Sequence, residues 1–287
     1  MAKKIVTATV DFKLWEEARA EKLNISRAFN DGLKERLEEK RGKETKGVIV
    51  ADGKSTRLYP ITTNTPKCLL EVGGKALLDH AIERFEEAGI TDITIVTGFG
   101  ESQVRNHCNK RKNIKFVFNP FFATTNILAS LWFAREELDS ELVFSYSDIL
   151  CTSKAFNDLV KRKEGVIALV AKTKVDPESE KVKEKNGKII EISKDVPDAD
   201  ASGEFIGIVK FSENGARELK KVLEETVRED TFRDYYFTVV LERLVQKGID
   251  VYVSYTSQPW IEIDFPNELD LARNEVWPKI KRIDSDR

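Results

Sequence analysis

At Gly47 the sequence changes character, and the pattern beyond that point admits few folds. The polar and charged stretch Glu38 to Lys46 gives way to short apolar runs that alternate with amphipathic segments. Val48-Ile49-Val50-Ala51, Ile93-Thr94-Ile95-Val96, Ile114 to Phe118, Leu142-Val143-Phe144 and Val166 to Ala171 read as strands. Leu77 to Ala88, closed by Gly89, and a stretch from about Asn126 to Glu137 read as helices. This alternation predicts an α/β fold: a mostly parallel mixed sheet covered by helices on both faces, with ligands at the carboxyl ends of the strands. The 287 residues, 41% of them hydrophobic, suffice for one sizeable core and a small additional module.

The first 42 residues are expected to form that module, and residues 47–280 the main domain. In Ile5 to Val10, Val6, Ala8 and Val10 share one face of a strand, with Thr7 and Thr9 on the other. Asp11 is placed to cap a helix containing Leu14, Trp15 and Ala18. Asn24 to Ser26 offer a second cap, after which Ile25, Phe29, Leu33 and Leu37 repeat every fourth residue. A β-α-α unit of this size cannot bury a core alone; it requires a partner, most simply a second copy. Residues 4–40 resemble the ribbon-helix-helix module of small repressors and antitoxins, in which two strands pair across a dimer and their outward side chains enter the DNA major groove. The outward candidates are Lys3 or Lys4, Thr7 and Thr9. Residues 1–46 carry 12 Lys or Arg against 9 Asp or Glu, a weak driver for phosphate contacts. A homodimerisation role is therefore favoured over DNA binding.

The whole-chain balance, 47 basic against 49 acidic residues, gives no basic footprint of the kind nucleic acid or membrane surfaces select. No 18-residue apolar run is present, and MAKKIVTATVDF lacks the apolar region of a signal peptide, so a cytoplasmic protein without a membrane span is expected. Cys68, Cys108 and Cys151 have no metal-ligand spacing, and their odd number argues against a disulfide framework.

The chemistry is concentrated in Val50-Ala51-Asp52-Gly53-Lys54-Ser55-Thr56-Arg57-Leu58-Tyr59-Pro60-Ile61-Thr62, continuing to Pro66-Lys67-Cys68-Leu69-Leu70. A strand enters a loop of small residues that can turn backbone N–H groups toward phosphate oxygens. Arg57 offers a planar fork, and Lys67 a second cation ten residues on. The segment resembles the signature of nucleotidyltransferases acting on sugar and alcohol phosphates, A-A-G-x-G-x-R-L-x-P-x-T followed by P-K-x-L-L. The resemblance implies a Rossmann-like nucleotidyltransferase in which Ala51, Gly53, Ser55 and Arg57 hold the triphosphate and Lys67 contacts the attacking phosphate. Two positions depart from it. Asp52 puts a carboxylate where a small apolar residue is usual, and Ser55 replaces a glycine.

Two acidic elements complete the reading. Asp148 follows the strand Leu142 to Phe144, and Glu262 and Asp264 in Trp260-Ile261-Glu262-Ile263-Asp264 share a strand face. The resemblance implies that Asp148 and Asp264 hold Mg²⁺, with Glu262 a further ligand. An acceptor phosphate is already ionised at neutral pH, so catalysis reduces to positioning and charge neutralisation, and loss of Arg57 or Lys67 is expected to affect turnover far more than folding.

Gly98, with Thr97 and Phe99, and Asn126, in Asn119-Pro120-Phe121-Phe122-Ala123-Thr124-Thr125-Asn126, resemble segments lining a base and ribose pocket. Asn126 serves equally as a helix cap. The Pro66-Lys67-Cys68 version of the motif, that asparagine-rich stretch and Gly203 to Ile208 resemble the branch of phosphocholine and 2-aminoethylphosphonate cytidylyltransferases, which implies CTP and a small phosphate or phosphonate acceptor. Asp234-Tyr235-Tyr236 and Trp260 are candidates for the acceptor's head group, Glu204 for its polar end, and Lys172, Lys183 or Lys194 for its phosphate. A sugar-1-phosphate nucleotidyltransferase and a nucleotide-sensing DNA-binding regulator are the alternatives.

Overall fold

The computed structural model describes residues 9–42 and 45–286. The chain divides into two compact units, Met1–Lys43 and Glu44–Arg287. In the first, α1 (Phe12–Ala20) is capped by the Asp11 carboxylate, which accepts from the Lys13 and Leu14 N–H groups at 3.0 and 3.2 Å. α2 (Ile25–Gly42) starts at Asn24, whose side chain accepts from the Arg27 N–H at 3.0 Å. The strand expected over Ile5 to Val10 lies outside the described residues except for Thr9 and Val10, which are not in a strand, and Lys3, Lys4 and Thr7 lie outside them too. No residue between 9 and 33 is buried.

The second unit is built on a nine-stranded sheet. Its first half contains β1 (Lys46–Ala51), a small hairpin of β2 (Glu71–Val72) and β3 (Lys75–Ala76), then β4 (Asp92–Thr97), β5 (Ile114–Phe118), β6 (Leu142–Tyr146) and the short β7 (Ile149–Cys151). The second half contains β8 (Val166–Ala171), β9 (Lys181–Lys185), β10 (Lys188–Ser193), β11 (Gly203–Phe211), β12 (Val251–Thr256) and β13 (Trp260–Glu262). The order across the sheet is β5-β4-β1-β6-β11-β8-β12-β10-β9, with β11 also pairing β9. β5, β4, β1 and β6 are parallel, as are β8 and β12; β11 runs antiparallel to its neighbours, and β9 and β10 form an antiparallel edge. The sheet is thus more mixed than the alternation alone implies. The sequences agree with their positions. β6 and β8 are buried at every residue, as central strands flanked by helices must be, whereas Lys181-Val-Lys-Glu-Lys and Lys188-Ile-Ile-Glu-Ile-Ser expose part of each strand.

Helices cover the sheet: α3 (Leu77–Glu87), α4 (Glu101–His107), α5 (Ile127–Phe133), α6 (Ser153–Val160), α7 (Glu213–Thr226) and α8 (Thr238–Gln246), followed by α9 (Pro266–Leu271) and α10 (Trp277–Ser285). α3 buries Leu77, Leu78, Ala81, Ile82 and Phe85, and the Phe85 ring meets Phe156 of α6 edge-on at 5.0 Å. In β11 the pairing with β8 shifts register between Phe205 and Val209. Gly207 lies in that bulge with φ +74°, and a Cβ there would sit 2.4 Å from a ring carbon of Tyr146.

Candidate active site

The loop after β1 is held from below. Ser55 adopts a left-handed backbone, φ 50° and ψ 52°, immediately before a helical turn at Thr56–Leu58. A side chain in that conformation costs about 1–2 kcal/mol. The buried Thr62 hydroxyl donates to the Ser55 carbonyl at 2.8 Å and fixes it there. Asp52, whose carboxylate in the sequence threatens to repel a triphosphate, turns it inward. It accepts from Asn119 Nδ2 at 2.8 Å and from the Ser130 hydroxyl, all three side chains being buried. Burial raises its carboxyl above the ordinary value, and the Ser130 and Asn119 donors offset part of that. Asn119 also donates to Thr125 Oγ1 at 3.2 Å, so the network ties this loop to the one after β5.

Gly98 has a different place from the one its motif implies. It is absent from the cavity wall, and a Cβ on it would lie 2.6 Å from the Asp52 carbonyl and 2.5 Å from Phe122 Cβ. The Phe99 N–H donates to that carbonyl at 2.9 Å. Gly98 therefore lets a second loop close against the back of the first.

A cavity of about 570 Å³ opens at the carboxyl ends of β1 and β6, lined by Ala51, Gly53, Ser55, Arg57, Lys67, Asp148, Glu262 and Asp264 among others. Pairing of β13 with β7 sets Glu262 opposite Ile149, beside Asp148. Asp148, Glu262 and Asp264 each present an oxygen, all within 4.8 Å of one another. Lys67 Nζ lies 2.5 Å from Asp148 and 2.7 Å from Asp264, and Arg57 Nη2 lies 2.7 Å from the other Asp264 oxygen. The Arg57 guanidinium also rests 5.1 Å from the Phe265 ring centroid. Residues from three segments distant in sequence thus meet at one point.

The electrostatics arise from that crowding. Burial opposes the charge on Lys67, but Asp148, Asp264 and Glu262 outweigh it and raise its pKa. Burial pulls Asp264 upward, yet Lys67 and Arg57 hold it below its ordinary value. Glu262, buried beside Asp148 and Asp264, is raised well above the usual carboxyl range. Asp148 Oδ1 is buried with no hydrogen-bond partner among the described residues. An all-oxygen cluster with one buried, unpartnered oxygen fits a hard divalent cation such as Mg²⁺.

Farther along the wall lie Asn126, Glu204, Tyr236 and Trp260. Asn126 caps α5, accepting from the Ile127 N–H at 2.8 Å, while lining the cavity. Asp234 and Tyr235 do not line it. The Tyr235 hydroxyl donates to Glu229 at 2.8 Å, and Arg243 covers its ring at 5.2 Å, which places this tyrosine in a surface cluster. Lys172 and Lys183 are also absent from the wall; Lys194 is present. Phe122, within the stretch whose motif resembles a base and ribose pocket, lines the cavity, as do Glu180 and the Tyr146 ring, to which the sequence assigns no role. For Tyr146 the available signal is its place two residues before Asp148; Glu180 sits in a Pro- and Ser-containing connection with no periodicity to mark it.

Known proteins resemble this chain in sequence and in fold. A CTP:phosphoglutamine cytidylyltransferase of Campylobacter jejuni is 28% identical over 246 residues, covering 78% of this chain and 97% of its own. A choline-phosphate cytidylyltransferase of Streptococcus pneumoniae is 36% identical over 116 residues, 40% of this chain and 50% of its own. The structure of CTP:phosphocholine cytidylyltransferase from Streptococcus pneumoniae superposes with a TM-score of 0.68 at 25% identity, over 84% of this chain and 99% of that one. Inositol-1-phosphate CTP transferase from T. maritima shares the fold, with a TM-score of 0.69 at 20% identity, over 83% of this chain and 96% of that one. Residues 47–263, which contain the loop, both cations, Asp148 and Glu262, match the MobA-like NTP transferase domain, and the chain belongs to that nucleotidyltransferase family.

Proposed function

We propose that this protein transfers CMP from CTP, with Mg²⁺, to a small acceptor bearing a phosphate or phosphonate, and releases pyrophosphate. The observation that carries the reading is the convergence of Arg57 and Lys67 on Asp148 and Asp264 at the mouth of the loop after β1. CTP is favoured over other nucleotides because the Campylobacter jejuni and Streptococcus pneumoniae relatives, each matched over most of the chain, are named for it.

In this reading an ionised acceptor oxygen attacks the α-phosphorus, the bond to the bridging oxygen breaks, and pyrophosphate leaves with the electron pair. No protein base is needed. Arg57, half-exposed at the loop, swings from Asp264 onto the phosphates. Lys67, buried between two carboxylates, holds its charge against the developing negative charge at the α-phosphate. Asp148, Asp264 and Glu262 would hold the metal ion, which supplies charge neutralisation to the triphosphate when bound. Ser55 and Gly53 offer backbone N–H groups to the phosphate oxygens.

The N-terminal unit is read as a dimerisation handle of ribbon-helix-helix type. Phe12, Leu14, Leu23, Phe29 and Leu33 are exposed on it, and a second copy would cover them. The test is pyrophosphate release from CTP and Mg²⁺ with a panel of phosphocholine, 2-aminoethylphosphonate, a hydroxyalkylphosphonate and inositol phosphate. Turnover of one panel member supports the proposal. Turnover only with a sugar 1-phosphate and UTP or dTTP sinks it, as does a salt-dependent DNA complex with no turnover at all.

A further inference from the structure

The cavity wall made by the connection ahead of β9, by Lys194 and by the start of β11 carries one carboxylate with no close partner among the described residues. Glu180 accepts from the Tyr146 hydroxyl and from Thr238 Oγ1, both at 3.4 Å, at the far limit for a hydrogen bond. The cation that acts on it, Lys194, is engaged elsewhere: its ammonium is 3.1 Å from Glu178 and 5.5 Å from the Tyr236 ring centroid. The other acids on this wall are engaged or neutralised: Glu178 pairs with Lys194, Asp176 accepts from the Ser179 hydroxyl at 3.2 Å, and burial raises the Glu204 carboxyl above its ordinary value. Aromatic surfaces surround Glu180. Tyr146 and Phe205 lie edge-to-face at 6.3 Å, and both rings, with Tyr236, line the same cavity.

We propose that Glu180 is the residue that reads the acceptor: its carboxylate receives a compact ammonium group, primary or quaternary, carried a few bonds from the acceptor's phosphorus. The placement suits such a molecule. β11 pairs with β6 over Ile208 to Phe211 and with β9 at Gly203 and Glu204, so Asp148, just after β6, and Glu180, just ahead of β9, are delivered along the same strand to one cavity. The ring faces attract a cation and desolvate it, while the carboxylate supplies the opposite charge. Burial pushes the Glu180 carboxyl up to about 7, against the pull of Lys194 and the Thr238 and Tyr146 donors, so an arriving ammonium completes an ion pair that the wall does not form by itself. This replaces Asp234 and Tyr235, which lie off the cavity wall, as the source of head-group selectivity.

The inference rests on the cytidylyltransferase reading, and the experiment separates the two. Wild type, Glu180→Gln and Glu180→Asp are assayed for pyrophosphate release from CTP with phosphocholine, 2-aminoethylphosphonate and propyl phosphate, an acceptor of similar length with no charged head. The wild type is expected to favour an ammonium acceptor over propyl phosphate by about 10- to 100-fold in kcat/KM. Glu180→Gln is expected to reduce that preference to within a few-fold, through the acceptor KM rather than the KM for CTP, and Glu180→Asp to restore part of it. Turnover with CTP but an unchanged preference in Glu180→Gln, or a wild type that prefers propyl phosphate, overturns this inference and leaves the cytidylyltransferase reading standing. Absence of CTP turnover with every acceptor removes both.

Discussion

α2 and α3 carry similar apolar periodicity and arrive at opposite fates. In α3, Leu77, Leu78, Ala81, Ile82 and Phe85 are all buried against the sheet. In α2, Ile25, Phe29 and Leu33 repeat every fourth residue and all remain exposed. Periodicity specifies which face of a helix seeks cover; it does not supply the cover. The second unit carries its own sheet for that purpose, and every Phe or Leu it hides contributes about 1.5–3 kcal/mol. In the first unit no residue between 9 and 33 is buried.

The contrast can be broken or sharpened experimentally. The largest effect is expected at the charge cluster. Arg57→Ala should lower kcat about a thousandfold with little change in melting, because Arg57 is half-exposed. Lys67→Ala should lower turnover at least as far, but it also strands Asp148 and Asp264 without their shared cation. A loss of about 3–5 kcal/mol of stability is expected there, measurable by denaturant titration. Turnover and folding therefore separate at Arg57 and not at Lys67, where the sequence alone suggests that they separate at both.

Next comes the core itself. Phe85→Ala should cost the second unit about 3–5 kcal/mol, since the side chain is fully buried against Phe156. Phe29→Glu should leave that unit's melting transition in place and instead halve the particle mass seen by light scattering. If the mass does not change, the N-terminal unit is not the dimer contact. If the main transition shifts, the two units are not energetically independent.

Smaller effects test the strained and unpaired groups of the cavity. The native chain keeps a proton on Glu180 up to about pH 7, while the unfolded chain releases it near 4.5. Stability is therefore lost as pH rises through that window. Glu180→Gln should remove the loss, melting higher than wild type by about 1–3 kcal/mol at pH 8 and by almost nothing near pH 4.5. Ser55→Gly should stabilise the fold by about 1 kcal/mol by relieving the left-handed serine, and at the same time loosen the loop and raise the KM for CTP.

These sites also mark what can be read from residues alone. β1, its loop and Lys67 are legible because strand, small residues and cation are contiguous or nearly so. Asp148, Glu262 and Asp264 are legible only through a family pattern, since nothing local predicts that β13 will pair with β7. Gly98 shows the limit of a motif. Its small size is used to pack two loops together, a requirement indistinguishable in sequence from a need to admit a ligand. Asp52 reads in sequence as a source of repulsion because its partners, Asn119 and Ser130, are distant in the chain. Glu180 is invisible there because its position depends on β11 turning antiparallel and accepting β9 as a third partner besides β6 and β8, a choice made by the whole sheet.

The bulge at Gly207 has a consequence for how such a protein diversifies. Tyr146 lies where that residue's missing methyl would be, and its hydroxyl reaches Glu180. Adding one carbon atom at position 207 would displace the phenol, and with it the ring that lines the chamber and the hydroxyl that reaches Glu180. Selectivity can thus drift through a residue that does not itself line the chamber.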